Sequence, residues 1–245
     1  MKIEISPTKL ENGKLAAERA ASILKAALAA KERVRFIAAT GASQFELIDH
    51  LCSLPGIDWA RTEMFHLDEY VGLGIEHPAS FRRYLQERLV DRVHPGQVHF
   101  VQGDAPDPQG EIARLGSLIS AGGIDLALVG IGENGHLAFN DPPADFETEQ
   151  PFLIIELDTA CRQQQVGEGW FKGIAEVPAR AMSMSVRQIM KSEAIICTVP
   201  DRRKAQAVRD CLSEGAPVSP LHPASILKQH PNVFVYLDRD AGSLL

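Results

Sequence analysis

Cysteine is scarce in this chain: there are four in 245 residues, Cys52, Cys161, Cys197 and Cys211, and none lies in a CxxC pair. Such spacing reads as packed or surface thiols kept reduced in a cytosolic protein rather than as a disulfide frame or a zinc site of paired cysteines. Long apolar runs are missing too, since none reaches the roughly 18 residues of a membrane helix. The opening MKIEISPTKLENGK has no apolar stretch of the secretory kind. The expected location is therefore the cytoplasm, with no membrane partner. Nor is there an excess of positive charge. A net charge of −7 provides no basic field for a nucleic acid backbone, so an anion must be held by a local cluster of donors. Repeats, low-complexity tracts and linkers are likewise absent.

What remains is a chain with 45% apolar residues, enough for a real core. Short apolar runs alternate with amphipathic stretches. The runs predict strands over Arg33–Thr40, Glu63–Leu67, Gln97–Val101, Ile124–Gly130, Phe152–Leu157, Ala194–Val199 and Asn232–Leu237. The stretches predict helices over Lys14–Lys31, Gln44–Leu54, Ala79–Arg92, Gln109–Ala121, Arg202–Glu214 and Ala224–Gln229. Strands apolar on both faces belong in a parallel sheet. The expected fold is α/β: one domain over residues 1–245, with a Rossmann-like, mostly parallel sheet flanked by helices on both faces. Such sheets bind ligands at the carboxyl ends of their strands, which directs attention to four loops.

The first is Thr40-Gly41-Ala42-Ser43-Gln44. Ser43 and Glu46 have the spacing of a capping box, Gly41 permits a tight turn, and a helix start offers N–H groups to an anion. An ordinary capped helix would read the same way. The second, Phe65-His66-Leu67-Asp68-Glu69-Tyr70, places two carboxylates at a strand end. Burial would make one of them a better base, although a solvated acidic loop is the plainer reading of such a pair alone. The third runs Gly130-Ile131-Gly132-Glu133-Asn134-Gly135-His136-Leu137-Ala138-Phe139-Asn140-Asp141. Its glycines imply close backbone approach, and His136 with Asp141 is a candidate acid/base unit. It does not fit GxGxxG, so a dinucleotide is not expected. The fourth, Asp201-Arg202-Arg203-Lys204, sets three cations in a first helical turn. The dipole disfavours them there, and a shared anionic ligand would offset that. Together the four loops describe a site for a phosphorylated small molecule that undergoes proton transfers.

The segments FHLDEYVGL…HPASF and GIGENGHLAFNDP closely resemble the glucosamine-6-phosphate deaminase (isomerase) family. TGAS and DRRKAQAV fall where that family has its other site motifs. The resemblance spans residues 9 to 240. It implies isomerisation with deamination of a hexosamine 6-phosphate (a hydrolase or ketol isomerase by class) without metal or organic cofactor. It also implies a modified Rossmann-like fold with a lid segment near 142–175. On this resemblance Asp68 is the base moving a proton between C2 and C1. His136 opens the pyranose ring, with Asp141 as its carboxylate partner and Asn134 beside it. The phosphate is expected at Thr40, Gly41, Ala42, Ser43, Lys204 and Arg162, with Glu69 and Gly135 completing the substrate site.

The chain departs from the family pattern in places. Asn134 stands where some members have Asp, Asp141 where many have Glu, and Pro143 where Gly is usual. The stretch ADFETEQPFLII lacks the basic residues of allosteric members, so activation by an N-acetylated sugar phosphate is not expected. Galactosamine 6-phosphate is an alternative substrate. The nearest other enzyme is 6-phosphogluconolactonase, whose related Gly-His loop continues differently. A non-catalytic sugar-phosphate sensor would carry a helix-turn-helix segment, which is not seen here. Association as a monomer or a homo-oligomer stays open.

Overall fold

In a computed structural model describing residues 1–245, the apolar runs become the strands of two sheets. Strand β1 (Lys2–Ser6) leads into helix α1 (Lys9–Ala30), which is capped by Thr8 accepting the amide of Glu11. β2 (Val34–Ala38) is followed by a 3-10 turn at Ala42–Gln44 and α2 (Phe45–Leu51). β3 (Thr62–His66) passes almost directly into β4 (Asp68–Tyr70). A helical stretch then combines α3 (Phe81–Leu85), a π-turn over Gln86–Val90 and α4 (Asp91–Val93). There follow β5 (Gln97–His99), α5 (Pro108–Ser120), β6 (Leu126–Val129), β7 (Phe152–Glu156), α6 (Thr159–Gly167) and β8 (Arg180–Met184). The chain closes with α7 (Val186–Ile189), β9 (Ile195–Val199), α8 (Ala205–Leu212) and β10 (Val233–Asp238).

The main sheet has seven strands in the order β1-β10-β9-β6-β2-β3-β5, and each of its pairings is parallel. Its strands alternate between two apolar layers. Ile37, Phe65, Ala127, Val129 and Cys197 enter one layer, and Phe36, Ala38, Met64, Leu128 and Ile196 the other. With both faces covered, the strands have no polar side to show, which is why they read as continuous apolar runs. Each fully buried Val, Leu, Ile, Phe or Met among them contributes about 1.5–3 kcal/mol.

Three expectations are corrected. The run at Phe152 is a strand, but it pairs antiparallel with β8 in a second sheet of order β4-β8-β7 rather than joining the main one. Strands β1, β4 and β8 and helix α6 carry too many polar residues for their periodicity to stand out. β1 is an edge strand whose Ile3 and Ile5 are exposed. Finally, Ser43 does not cap α2: the turn starts at Gly41, with φ of 89°, and no side chain caps it.

The topology positions the site. From β2 the chain steps outward to β3 and β5, and from β6 it steps the other way to β9 and β10. The order reverses between β2 and β6, so a crevice opens at their carboxyl ends. The loops after β9, β6, β2 and β3 therefore stand side by side.

Candidate active site

These four loops and helix α6 enclose a cavity of about 120 Å³. Thr40, Gly41, Ala42 and Ser43 form one wall. Gly41 has the positive φ that side chains resist, and the turn beyond it is clamped by buried Gln44. The Gln44 amide donates to Thr198 Oγ1 at 2.8 Å and to the Val129 carbonyl at 3.1 Å, while Thr198 Oγ1 donates to the Ser43 carbonyl at 3.0 Å. One side chain thus ties the ends of β2, β6 and β9 together. A Cβ at Gly130 would stand 2.7 Å from Ser43 Oγ, so glycine is what allows β6 to approach this wall.

Asp68 lines the cavity and is 5% exposed. Burial, reinforced by the neighbouring charge of Glu69, pushes its carboxyl up to about 8. Glu69 faces the other way, as strand alternation requires. It accepts hydrogen bonds from the Tyr70 amide (2.9 Å), Ser80 Oγ (2.8 Å) and the Arg82 amide (2.8 Å), which anchors the start of α3. Burial raises it to about 7 against these bonds. Glu69 does not line the cavity, so its expected place in the substrate site is corrected to a support for the loop carrying Asp68.

His136 is 8% exposed and also lines the cavity. Its ring lies against Gly132, where a Cβ would come within 2.2 Å of Nε2. Nδ1 stands 3.2 Å from Asp141 Oδ1 but makes no in-line hydrogen bond; a small ring rotation would align the two. Asp141 is held firmly: Oδ1 accepts from the Asn134 amide at 2.9 Å and Oδ2 from the Asp158 N–H at 3.2 Å. Burial opposes its ionised form, yet His136, Asn134 and the Asp158 N–H together hold its carboxyl below the usual value. Asn134 also donates to Asp158 Oδ2 at 3.3 Å, and its Oδ1 accepts the His136 N–H at 3.1 Å. This explains the amide at position 134, because a third carboxylate between Asp141 and Asp158 would be repelled by both. Gly135, with φ of 85°, makes the bend that delivers His136, but it does not line the cavity itself.

The basic turn is sorted by the fold. Asp201 caps it, accepting the Arg203 amide. Arg203 stays at the rim, 3.0 Å from Asp201 and 3.4 Å from Glu133. Arg202 is absent from the cavity wall. Lys204 enters the cavity and is 5% exposed. Burial lowers its pKa, and Glu168, with Nζ to Oε1 of 3.5 Å, works in the opposite direction.

Arg162 is not brought to the site. Its guanidinium donates to the carbonyls of Ile174 and Val177 at 2.7 and 2.9 Å, and it does not line the cavity. From the same helix, α6, it is Gln164 and Gln165 that do, together with Glu168 at its C-cap. Gln165 accepts from the Tyr70 hydroxyl at 2.7 Å. Gln164 donates to Glu168 Oε1 at 2.8 Å. Sequence reasoning missed these three by following the only cation in a polar run; the Asp158 cap and helical spacing from it were the available signal.

Comparison with known proteins identifies the family. Residues 8–235 match the family described as glucosamine-6-phosphate isomerases/6-phosphogluconolactonase. The chain is similar to a glucosamine-6-phosphate deaminase of Arthrobacter sp. (strain FB24), with 36% identity covering 100% of this chain and 93% of the relative. It is similar to another from Exiguobacterium sp. (strain ATCC BAA-1283 / AT1b), with 40% identity covering 76% and 71%. Among solved structures, a monomeric glucosamine-6-phosphate deaminase superposes with a TM-score of 0.91 at 31% identity, covering 100% of both chains. The 6-phosphogluconolactonase of Trypanosoma brucei shares the fold, with a TM-score of 0.80 at 16% identity over 100% of this chain and 98% of that one. The chain therefore belongs to the glucosamine-6-phosphate isomerase/6-phosphogluconolactonase family.

Proposed function

We propose that the protein converts glucosamine 6-phosphate and water to fructose 6-phosphate and ammonium. The observation that carries this reading is the convergence of Asp68, His136, Lys204 and the Thr40–Ser43 turn on one cavity, with relatives of 33–40% identity named as deaminases for this substrate. His136 gives a proton to the ring oxygen as the C1–O5 bond breaks, and the C1 hydroxyl passes its own proton back to His136 to leave a free aldehyde. Asp68 then takes the C2 hydrogen as a proton, and the electron pair forms a C1–C2 enolamine as the C2 ammonium gives a proton to O1. Asp68 returns its proton to C1 while the nitrogen lone pair makes the C2 iminium. Water adds at C2 and ammonia leaves. Lys204 and the Thr40–Ser43 turn hold the phosphate, whose binding energy, remote from the reacting carbons, positions C1 and C2. Asn134 and Asp141 support His136. Helix α6, within the 142–175 segment, acts as the lid.

No helix is long and apolar enough to cross a membrane, and all four cysteines are unpaired, which supports a cytoplasmic setting. The test is an assay of ammonia release from glucosamine, galactosamine and mannosamine 6-phosphates, run beside acid release from 6-phosphogluconolactone. Ammonia from the gluco epimer is expected. Acid release without ammonia overturns the proposal.

A further expectation concerns the anion position. Glu168 now stands beside Lys204, where a phosphate would go. Lys204→Ala should raise KM with a smaller change in kcat, because it removes a contact made in ground and transition states alike. Glu168→Gln should lower KM, because a competing carboxylate is gone. Steady-state kinetics of both variants check the opposite signs.

A further inference from the structure

We propose that His136, Asp141 and Cys161 form a binding site for a thiophilic divalent cation of the zinc class, and that occupancy of this site stops turnover. One ring nitrogen of His136, one carboxylate oxygen of Asp141 and the Cys161 sulfur lie within 4.8 Å of one another. This is the one place in the chain where three such donors meet. Tetrahedral zinc ligands, with bonds of about 2.0–2.3 Å, stand about 3.3–3.8 Å apart, so modest side-chain rotations close the set. The donor nitrogen is available: Nδ1 of His136 is buried without a hydrogen-bond partner, and it faces Asp141 at 3.2 Å.

Charge favours the same occupant. A dication with one thiolate, one carboxylate and a neutral imidazole sums to zero, which suits a buried place better than any unbalanced set. Binding is an exchange: the cation displaces the Cys161 thiol proton to solvent and no electron moves. Cys161 lies in the first turn of α6, whose dipole favours a thiolate. Outer contacts are already built, since Asn134 and the Asp158 N–H hold Asp141. Hard cations such as magnesium prefer oxygen ligands and more of them. His136 lines the cavity, so an ion reaches the cluster past its ring. Once bound, the imidazole lone pair and Asp141 are committed to the metal and unavailable for ring opening.

Loss of turnover rests on the function proposed above; binding does not. The full chain and its Cys161→Ala and Cys161→Val variants are titrated with zinc against a chromophoric chelator. They are then loaded with cobalt(II) and read for thiolate-to-metal charge-transfer absorption. The wild type is expected to bind one ion per chain with that absorption, and to lose ammonia release in step, with recovery on adding EDTA. Both variants should keep wild-type turnover in metal-free buffer and bind zinc more than about tenfold more weakly, since removing a direct ligand exceeds what outer-shell partners are worth. Equal zinc binding by wild type and variants, or no charge-transfer band in the wild type, overturns the site. Cysteine-dependent binding that leaves turnover intact overturns its inhibitory role.

Discussion

Asp68→Asn is expected to reduce kcat for ammonia release by about a hundred- to ten-thousandfold, the range of a positioned general base, while melting at a higher temperature than the wild type. The two effects share one cause. Asp68 is buried at the cavity wall, and its carboxyl is held near 8 against an ordinary 3.8. Between these values the folded chain keeps a proton that the unfolded chain gives up. The stability associated with this group is thus complete below about pH 4 and is lost as pH rises toward 8. Each pH unit costs about 1.4 kcal/mol, so near pH 7 the cost reaches a few kcal/mol. Asparagine, neutral and of the same shape, removes it. For a chain of this length 1 kcal/mol moves Tm by about 2–4 °C, so a gain on the order of 10 °C is expected. Melts of both proteins at pH 5 and pH 8 check the sign, because the gap should widen at the higher pH. A constant gap, or a variant that melts lower at pH 8, contradicts the assignment. In the wild type the same titration should make kcat/KM rise with pH until Asp68 is ionised, since only the carboxylate can take the C2 proton. The site thus keeps a base that is strong because it is poorly solvated, at the expense of stability.

His136→Gln separates ring opening from isomerisation. On cyclic glucosamine 6-phosphate a loss of about a hundred- to ten-thousandfold in kcat/KM is expected. A four-carbon 2-amino aldose 4-phosphate cannot close a ring, because its terminal oxygen is phosphorylated. On that substrate the variant should stay within about tenfold of wild type, because Asp68 and the phosphate contacts are untouched. Glutamine preserves bulk against Gly132, so the loop keeps its shape. Equal losses on both substrates would remove His136 from ring opening and make it a general support of the site.

Both residues were legible in the sequence because each follows an apolar run that could only be a buried parallel strand, and ligands gather where such strands end. Gly41 and Ser43, read by the same logic, and Lys204, named on the family resemblance, also line the cavity. Arg162 shows where it stops: its charge attracted attention, yet its guanidinium is used on the Ile174 and Val177 carbonyls. Gln164, Gln165 and Glu168 were hidden because α6 is polar on the face it turns to the cavity, so no apolar stripe marks that face. Asn134 read only as a departure from the Asp of some family members; in the fold its amide bridges Asp141 and Asp158.

Local chemistry along the chain was enough to specify six strands of the parallel sheet, the helices between them and the four loops that carry chemistry. Buried strands and glycine turns are encoded by neighbours in sequence. Which member of each adjacent pair faces the ligand was decided only by long-range pairing. Asp68 rather than Glu69 looks into the cavity because β4 pairs with β8, with Asp68 opposite Ser183. A shift of one residue in that register would exchange them. Lys204 rather than Arg202 enters the cavity, where it meets Glu168, a residue more than thirty positions away just past the end of α6.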